Sequence, residues 1–227
     1  MAIVRKSLSD QIYDELKMEI IEQKITFGSK IVNRVLQERF QVSSSPIRDA
    51  INRLYSDGLI EQIDNTGATV VNFDIVFYLE VNEILLGITN TAVKLAFKKS
   101  DHREITEYLN QCIALQVQYM GNVEYFKYDY EFHKTFVEFS KNSRLKKLYK
   151  QFNVLHEVLL RCFYGKELLK SQKDSIETHR KIVSSFLENN LELCIQLNEE
   201  HYNKAEKLFK NMLHKSFKSH PKIIVDE

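Results

Sequence analysis

The chain has 227 residues, 44% of them hydrophobic and 28% charged, which fits one or two ordinary globular domains and excludes a disordered or fibrous chain. Its formal net charge is only +1, so any contact with nucleic acid has to rest on local placement of Arg and Lys. Two prolines and six glycines favour helix over an all-β fold.

Cys112, Cys162 and Cys194 lie far apart without CxxC spacing, the pattern of reduced, mostly buried thiols in a cytoplasmic protein. The opening stretch MAIVRKSLSD lacks the apolar core of a signal peptide. No run approaches the about 18 apolar residues of a membrane span, so a cytoplasmic protein with no membrane partner is expected.

Residues 8–23 place Leu8, Ile12, Leu16, Ile20 and Ile21 on one helical face, with Ser9 as the helix start. ITFGSKI reads as a turn and a short extended stretch pivoting on Gly28. Helices are expected at 33–40 and 44–57. Leu36, Phe40 and Val42 lead into a Ser-Ser-Ser-Pro step, where Ser43 or Ser44 caps the second of these helices and Pro46 sits in its first turn. That helix has Ile47, Ala50, Ile51 and Leu54 on its apolar back and Ser44, Ser45, Arg48, Asn52 and Arg53 on its polar face; Gly58 ends it. Short polar side chains at the N-terminal end of such a helix suit insertion into a major groove. LIEQI and ATVVNF are short β-like runs joined by Asp64-Asn65-Thr66-Gly67, a hairpin tip expected to use positive φ. Three helices and a two-stranded hairpin make a winged helix-turn-helix over residues 1–73. The pattern alone also fits protein-binding modules.

The segment SxxPIRDAINRL…DGLI is the most specific part of a longer string, LxxxLKxxI…ITFGSKI…LQERFQV…TGATV. Over residues 8–73 it resembles the DNA-binding domain of GntR-family bacterial transcription regulators. The resemblance implies DNA contacts from Arg34, Ser44, Ser45 and Arg48, and from the wing around Thr66 and Gly67; Ser43, at the cap, joins this set. The family usually has Arg where this chain has Ser44. Serine cannot make the bidentate guanine contact, so a more A·T-rich site with less direct base readout is expected. Phe27-Gly28 stands in place of the family's Pro-Gly turn.

Residues 74–227 read as helix almost throughout, at roughly 74–98, 102–120, 123–140, 143–164, 171–189 and 191–217. The breaks fall at Ser100-Asp101, Gly121-Asn122, Asn142-Ser143, Gly165-Lys166 and Asn189-Asn190. Apolar residues recur at spacings of three and four, as in Leu191, Ile195, Tyr202, Ala205 and Leu208. A six-helix antiparallel bundle with its own core is expected, bounded near Phe73-Asp74 with no flexible linker.

The chemistry here lies in polar groups on core-directed faces. In DYEFH, Asp129 and His133 stand four residues apart and share one helix face. His179 in SIETHRKIV and His201 in NEEHYNKA have apolar neighbours. Three imidazoles and a carboxylate from three helices suit a divalent transition metal, although seven histidines scattered over helices also produce such sets by chance. His102, His156, His214 and His220 lack such pairing and read as surface or structural. Paired Glu-x-x-His motifs, HExxH, Ser-His-Asp and Cys-His arrangements are all missing, so an enzyme is not expected.

DxxFHxxFxxFSKNSRLKKL, THRKIVSSFLENN and EEHYNKAEKL together resemble the FCD effector-binding domain of the FadR subfamily of GntR regulators, over about residues 78–213. The resemblance implies that Asp129, His133, His179 and His201 bind a divalent metal ion, zinc or nickel foremost. Coordination positions would remain open for water or a ligand carboxylate. The first helix of that domain usually carries an Arg and, four residues later, a Glu. EVNEILLGITNTA has Asn82 and Leu86 instead, a departure that bears on the effector class. Asn82 and Arg161, the latter on the fourth helix, are the candidate effector contacts.

The expectation is a mostly α protein: a winged helix-turn-helix at 1–73 and an all-helical antiparallel bundle at 74–227 that binds metal and effector and dimerises. Its expected function is transcription regulation, as a homodimeric repressor on a pseudo-palindromic double-stranded operator. A small organic acid bound at the metal site would set operator affinity. The alternative is a metal-responsive regulator with no organic effector.

Overall fold

Ser7, not Ser9, starts the first helix, because its Oγ accepts from the Asp10 backbone N–H at 3.1 Å. That helix, α1 (Leu8–Ile21), buries Ile12, Leu16 and Ile20 at four-residue spacing. The computed structural model describes residues 6–162 and 168–219, with the side chains of 159, 161, 162, 168 and 212–219 outside the description. After α1 come β1 (Lys30–Val32), α2 (Asn33–Phe40) and α3 (Ser44–Ser56). Ser43 occupies the cap position of α3, but its hydroxyl makes no capping hydrogen bond. Ile47, Ala50, Ile51 and Leu54 face inward as the periodicity requires. Gly58 follows α3 with φ of +77°, the left-handed residue that stops a helix.

β2 (Ile60–Ile63) and β3 (Gly67–Val70) form the hairpin, and β1 pairs with β3, giving an antiparallel sheet ordered β1-β3-β2. The hairpin tip departs from expectation, for positive φ occurs at none of Asp64, Asn65, Thr66 or Gly67. A side chain shapes the tip instead. Asp64 Oδ1 accepts from Thr66 N at 2.8 Å, Thr66 Oγ1 at 2.7 Å and Gly67 N at 2.9 Å. Lys30 reaches across from β1 to Asp64 Oδ2 at 2.7 Å. Together these hold the Asp64 carboxyl well below its usual range, the Lys30 bond contributing most. Gly67 is required for another reason: a Cβ there would lie 1.9 Å from the Ile31 carbonyl oxygen, so only glycine lets β1 come this close.

Phe73 packs between Phe27 (centroids 4.6 Å apart) and Phe77 (4.9 Å), leading without a loose linker into α4 (Ile75–Lys99). α5 (His102–Gln118), α6 (Tyr125–Phe139), α7 (Ser143–Cys162), α8 (Leu168–Leu187) and α9 (Leu191–Ser219) complete the bundle. The helix breaks carry their own caps. Asp101 accepts from Arg103 N and Glu104 N, Asn142 from Leu145 N, and Asn190 from Leu193 N. The expected break at Gly165-Lys166 lies outside the described residues. α4 packs on α6, α7 and α9, and α8 on α5 and α9, around a core that includes Tyr78, Phe132, Phe136, Phe186 and Phe209. His102 is structural: its ring packs against Phe97 and Phe186, and its Nε2 lies 2.9 Å from the Phe97 carbonyl. Cys194 is buried and Cys112 half-buried, both as free thiols. Among the described residues no helix is long and apolar enough to cross a membrane.

Candidate functional site

Two places in the fold collect the candidate residues. The first is a cleft of about 600 Å³ between α2, α3 and the wing, lined by Arg34, Gln37, Ser44, Arg48, Asn52 and Thr66 among others. Pairing of β1 with β3, with Asn33 N donating to the Thr66 carbonyl at 2.9 Å, brings the wing tip beside the start of α2, so residues 34 and 66 share one opening. Ser43 and Ser45 are exposed at the start of α3 but line an adjoining groove with Pro46 and Asp49. Gly67 is buried in the sheet and does not line the cleft. Arg34 pairs with Glu38 at 2.9 Å, an exposed contact easily exchanged for another anion. Arg48 projects from α3, exposed. The cleft presents two guanidinium groups, hydroxyls and amides, a set suited to phosphates and base edges.

The second place is inside the bundle. Asp129 and His133 come from adjacent turns of α6, His179 from α8 and His201 from α9. One donor atom from each of the four lies within 4.8 Å of all the others. His133 Nε2 and His201 Nε2 are 3.2 Å apart, and His179 Nε2 is 3.9 Å from Asp129 Oδ1. Two nitrogens ~2.1 Å from one ion and at right angles to each other lie ~3 Å apart, so these separations suit a shared cation. His179 Nε2 is buried with no hydrogen-bond partner. An orphaned lone pair in an apolar interior is costly unless something in the cluster accepts it.

Gln116, which the sequence reading missed, explains why that lone pair is bare. Fully buried on α5, it accepts from His179 Nδ1 through Oε1 at 3.0 Å. A carboxamide oxygen can only accept, so the His179 proton sits on Nδ1 and Nε2 points free into the cluster. The Gln116 NH₂ donates to Asp129 Oδ1 at 3.4 Å, as does the Tyr125 hydroxyl at the same distance. Phe132 stacks on the His179 ring, with centroids 3.9 Å apart, and fixes its plane. Gln116 had a signal in the sequence. It continues the inward stripe Ile105, Leu109, Ile113, where a polar residue needs a reason.

Burial sets the charge states. It pushes the Asp129 carboxyl up to about 7, against the lowering effect of the Tyr125 hydrogen bond. It pulls His133 and His179 well below the ordinary imidazole range and His201 down to about 4, with neighbouring imidazoles adding to the effect. Neutral imidazoles beside a carboxyl are a donor set that fits a divalent metal ion.

His156 belongs here too, against the reading that set it aside. It lines a cavity of about 20 Å³ together with Asp129, His133, Tyr149, Asn153 and His201, and its Nε2 is buried without a partner. Asn82 is buried on α4, where its NH₂ lies 3.5 Å from the Tyr202 carbonyl and its Oδ1 has no partner; it does not line the cavity. The side chain of Arg161 lies outside the described residues.

α7 connects the two places. Tyr149, Asn153 and His156 face the cavity. Gln151 Nε2 donates to the Ser56 carbonyl at 3.0 Å, Leu155 packs where a Gly58 Cβ would be 3.2 Å away, and Glu157 pairs with Lys17 of α1 at 3.4 Å. One helix thus touches both the buried cluster and the end of α3.

Comparison with known proteins agrees with this architecture. Residues 8–70 match the family "Bacterial regulatory proteins, gntR family", and residues 80–204 match the FCD domain. The chain is 26% identical over 197 residues, 85% of its length and 87% of the relative's, to the uncharacterised HTH-type transcriptional regulator YdhC of Bacillus subtilis. It is 30% identical over 125 residues to the Nta operon transcriptional regulator of Aminobacter aminovorans, covering 53% of this chain and 58% of that one. Among solved structures, E. coli McbR/YncC superposes with a TM-score of 0.67 at 20% identity, covering 91% of this chain and 99% of that one. Members of these families regulate transcription and are not enzymes. With a winged helix matched at one end and more than half the chain matched to the helical domain, the protein belongs to the gntR family of bacterial regulatory proteins: it is a DNA-binding transcription regulator with an FCD effector-binding domain.

Proposed function

We propose that this regulator is a cytoplasmic homodimeric repressor whose operator affinity is set at a metal ion held by Asp129, His133, His179 and His201. The observation that carries the reading is the convergence of four donor atoms within 4.8 Å in the bundle interior, with Gln116 presetting one of them. Residues 1–73 form the DNA-binding unit; residues 74–227 bind metal and effector and pair the subunits. Two copies of α3 then meet two half-sites of a pseudo-palindrome. Arg34, Arg48, Ser44 and Thr66 contact the operator from the cleft, and Ser43, Ser45 and the Gly67 turn flank it. Zinc and nickel are the foremost ions for three imidazoles and a carboxylate. Bound there, the ion would supply a Lewis-acidic position for an oxygen donor of the small organic acid that acts as effector. α7 carries the change to α3 through the contacts of Gln151, Leu155 and Glu157.

A second reading, with the metal itself as the signal, is favoured by the cavity's size: about 20 Å³ is room for about one water. One experiment addresses both. Purified protein is stripped and reloaded with zinc or nickel, and affinity for an operator selected from random DNA is followed. Metal bound by the wild type and lost in His179→Ala, whose metal-free form keeps its DNA affinity, supports the site. Unchanged metal content in that variant defeats it. A tenfold response to metal alone, about 1.4 kcal/mol of coupling, selects the second reading.

A further inference from the structure

A groove of about 240 Å³ runs between α8 and α9 and meets the buried cluster only at its edge, through His201. Lys170, Ser171, Asp174 and Ser175 line it from α8, at spacings of three and four that put them on one face. Lys204 and Lys207 line it from α9. All three lysines are exposed, and among the described residues none has an ion-pair partner. The glutamates beside them along the two helices are committed elsewhere: Glu177 pairs with Lys181 at 2.8 Å and Glu206 with Lys210 at 2.6 Å. Lys204 adds to the lowering of the Glu177 carboxyl without pairing with it. Three ammonium groups against the carboxylate of Asp174 leave the groove two positive charges in excess.

We propose that this groove binds the phosphate group of a small phosphomonoester, at a site separate from the metal cluster. The charge matches: a phosphomonoester carries about −1.5 to −2 at pH 7. The donors match as well. A lysine ammonium is a compact point charge that can meet a tetrahedral oxyanion from any side. A planar carboxylate is better held by the guanidinium fork of arginine, and among the described residues no arginine lines the groove. Ser171 adds a hydroxyl donor on the same wall. Ala205 and Leu208 line the groove too, and its volume leaves room for a small organic body beside the phosphate. A DNA backbone is the less suitable occupant. The winged helix meets the bundle chiefly through α7, while the groove lies on α8 and α9. No metal-binding candidate supplies a charge to the site, so it stands independently of the metal reading above.

The test titrates the full-length protein with glycerol phosphate by calorimetry, as purified and again after treatment with a chelator. Malonate and a random DNA duplex serve as comparators. Saturable binding of glycerol phosphate with a Kd of about 1 mM or tighter is expected, equal in the two preparations. Lys204→Gln and Lys207→Gln should each weaken it about fivefold. Lys146→Gln, an exposed charge on α7 outside the groove, should leave it unchanged. Absence of saturable binding in the wild type overturns the proposal, and so does unchanged affinity in both groove variants. Malonate bound as tightly as glycerol phosphate overturns the phosphate class. A random duplex that displaces glycerol phosphate, and that itself binds more weakly to Lys204→Gln, assigns the lysines to a nucleic-acid backbone instead. Binding lost on chelation places the anion at the metal cluster and overturns the separate site. Failure of the protein to bind any metal removes the metal reading alone and leaves this one standing.

Discussion

The cleft between α2, α3 and the wing and the buried cluster use polar side chains in opposite ways. Arg34 and Arg48 stand in solvent on the rims of the cleft, where keeping a charge costs the fold little. Asp129, His133, His179 and His201 stand in a protein interior, where a lone polar group is expensive, and they are held as a set by Gln116 and Tyr125. Surface contacts therefore act one at a time, while buried ones act together. Substitutions in the cleft should change DNA affinity and little else. Substitutions in the cluster should change metal affinity through residues that never touch the metal.

The sharpest way to break this contrast is Gln116→Ala. No metal-binding candidate is removed, yet the His179 tautomer and the Asp129 carboxylate lose their brace. Metal affinity should fall about 10- to 100-fold, read by competition with a chromophoric chelator. An unchanged affinity would mean that the four side chains orient themselves. At the cleft, Arg48→Ala should weaken the selected operator by about 1–3 kcal/mol if the guanidinium reads a base. An equal loss on random DNA would assign Arg48 to a phosphate. Metal affinity should not move.

Acidity separates the regions again. The Asp129 carboxyl, raised to about 7 by burial, keeps a proton below that pH which an incoming ion must displace. His133, His179 and His201 are held below the ordinary imidazole range, so they add no competing proton until more acidic pH. Metal affinity should be flat above pH about 7 and fall by up to about tenfold per pH unit just below it. The stability signs oppose one another in the metal-free fold. The raised Asp129 stabilises most at low pH and loses that contribution as pH rises to about 7. The depressed histidines stabilise above about pH 6.5 and lose theirs as pH falls. Calorimetric proton release near one at pH 6 and near zero at pH 8 would match Asp129; equal release at both would exclude it.

The same difference in environment explains what the sequence made legible. The winged helix is local: the α3 apolar stripe Ile47, Ala50, Ile51 and Leu54 and the stop at Gly58 lie in one continuous run. The helix breaks of the bundle were readable because Asp101, Asn142 and Asn190 cap them. All four metal-binding candidates were read from the sequence, but the supporting Gln116 and the neighbouring His156 lie on other helices and matter only once α5 and α7 close around α6. Polarity inside an apolar stripe, at position 116 and at 156 after Leu145 and Tyr149, was the available sign. The hairpin tip failed for a comparable reason. Its turn is set by the three hydrogen bonds Asp64 accepts, a choice that dipeptide preference does not register.

The smallest expected effect tests whether the two regions communicate. Leu155 is buried between α7 and the Gly58 turn, and it contributes neither a metal-binding group nor a DNA contact. Leu155→Ala removes the apolar wedge while leaving His156 in the cavity wall and the Gln151–Ser56 and Glu157–Lys17 contacts in place. If α7 transmits the state of the metal site, metal affinity and the DNA affinity of the metal-free form should each stay within about twofold, while the change in operator affinity on metal addition shrinks. A tenfold response reduced to none corresponds to about 1.4 kcal/mol of coupling lost. The comparison is a linkage cycle: operator affinity with and without metal, and metal affinity with and without operator, in wild type and variant. The two routes around the cycle must agree, so a real loss of coupling appears in both. A full wild-type response in Leu155→Ala would show that the signal reaches α3 by another route, and the Phe27–Phe73–Phe77 stack at the start of α4 is the next one to cut.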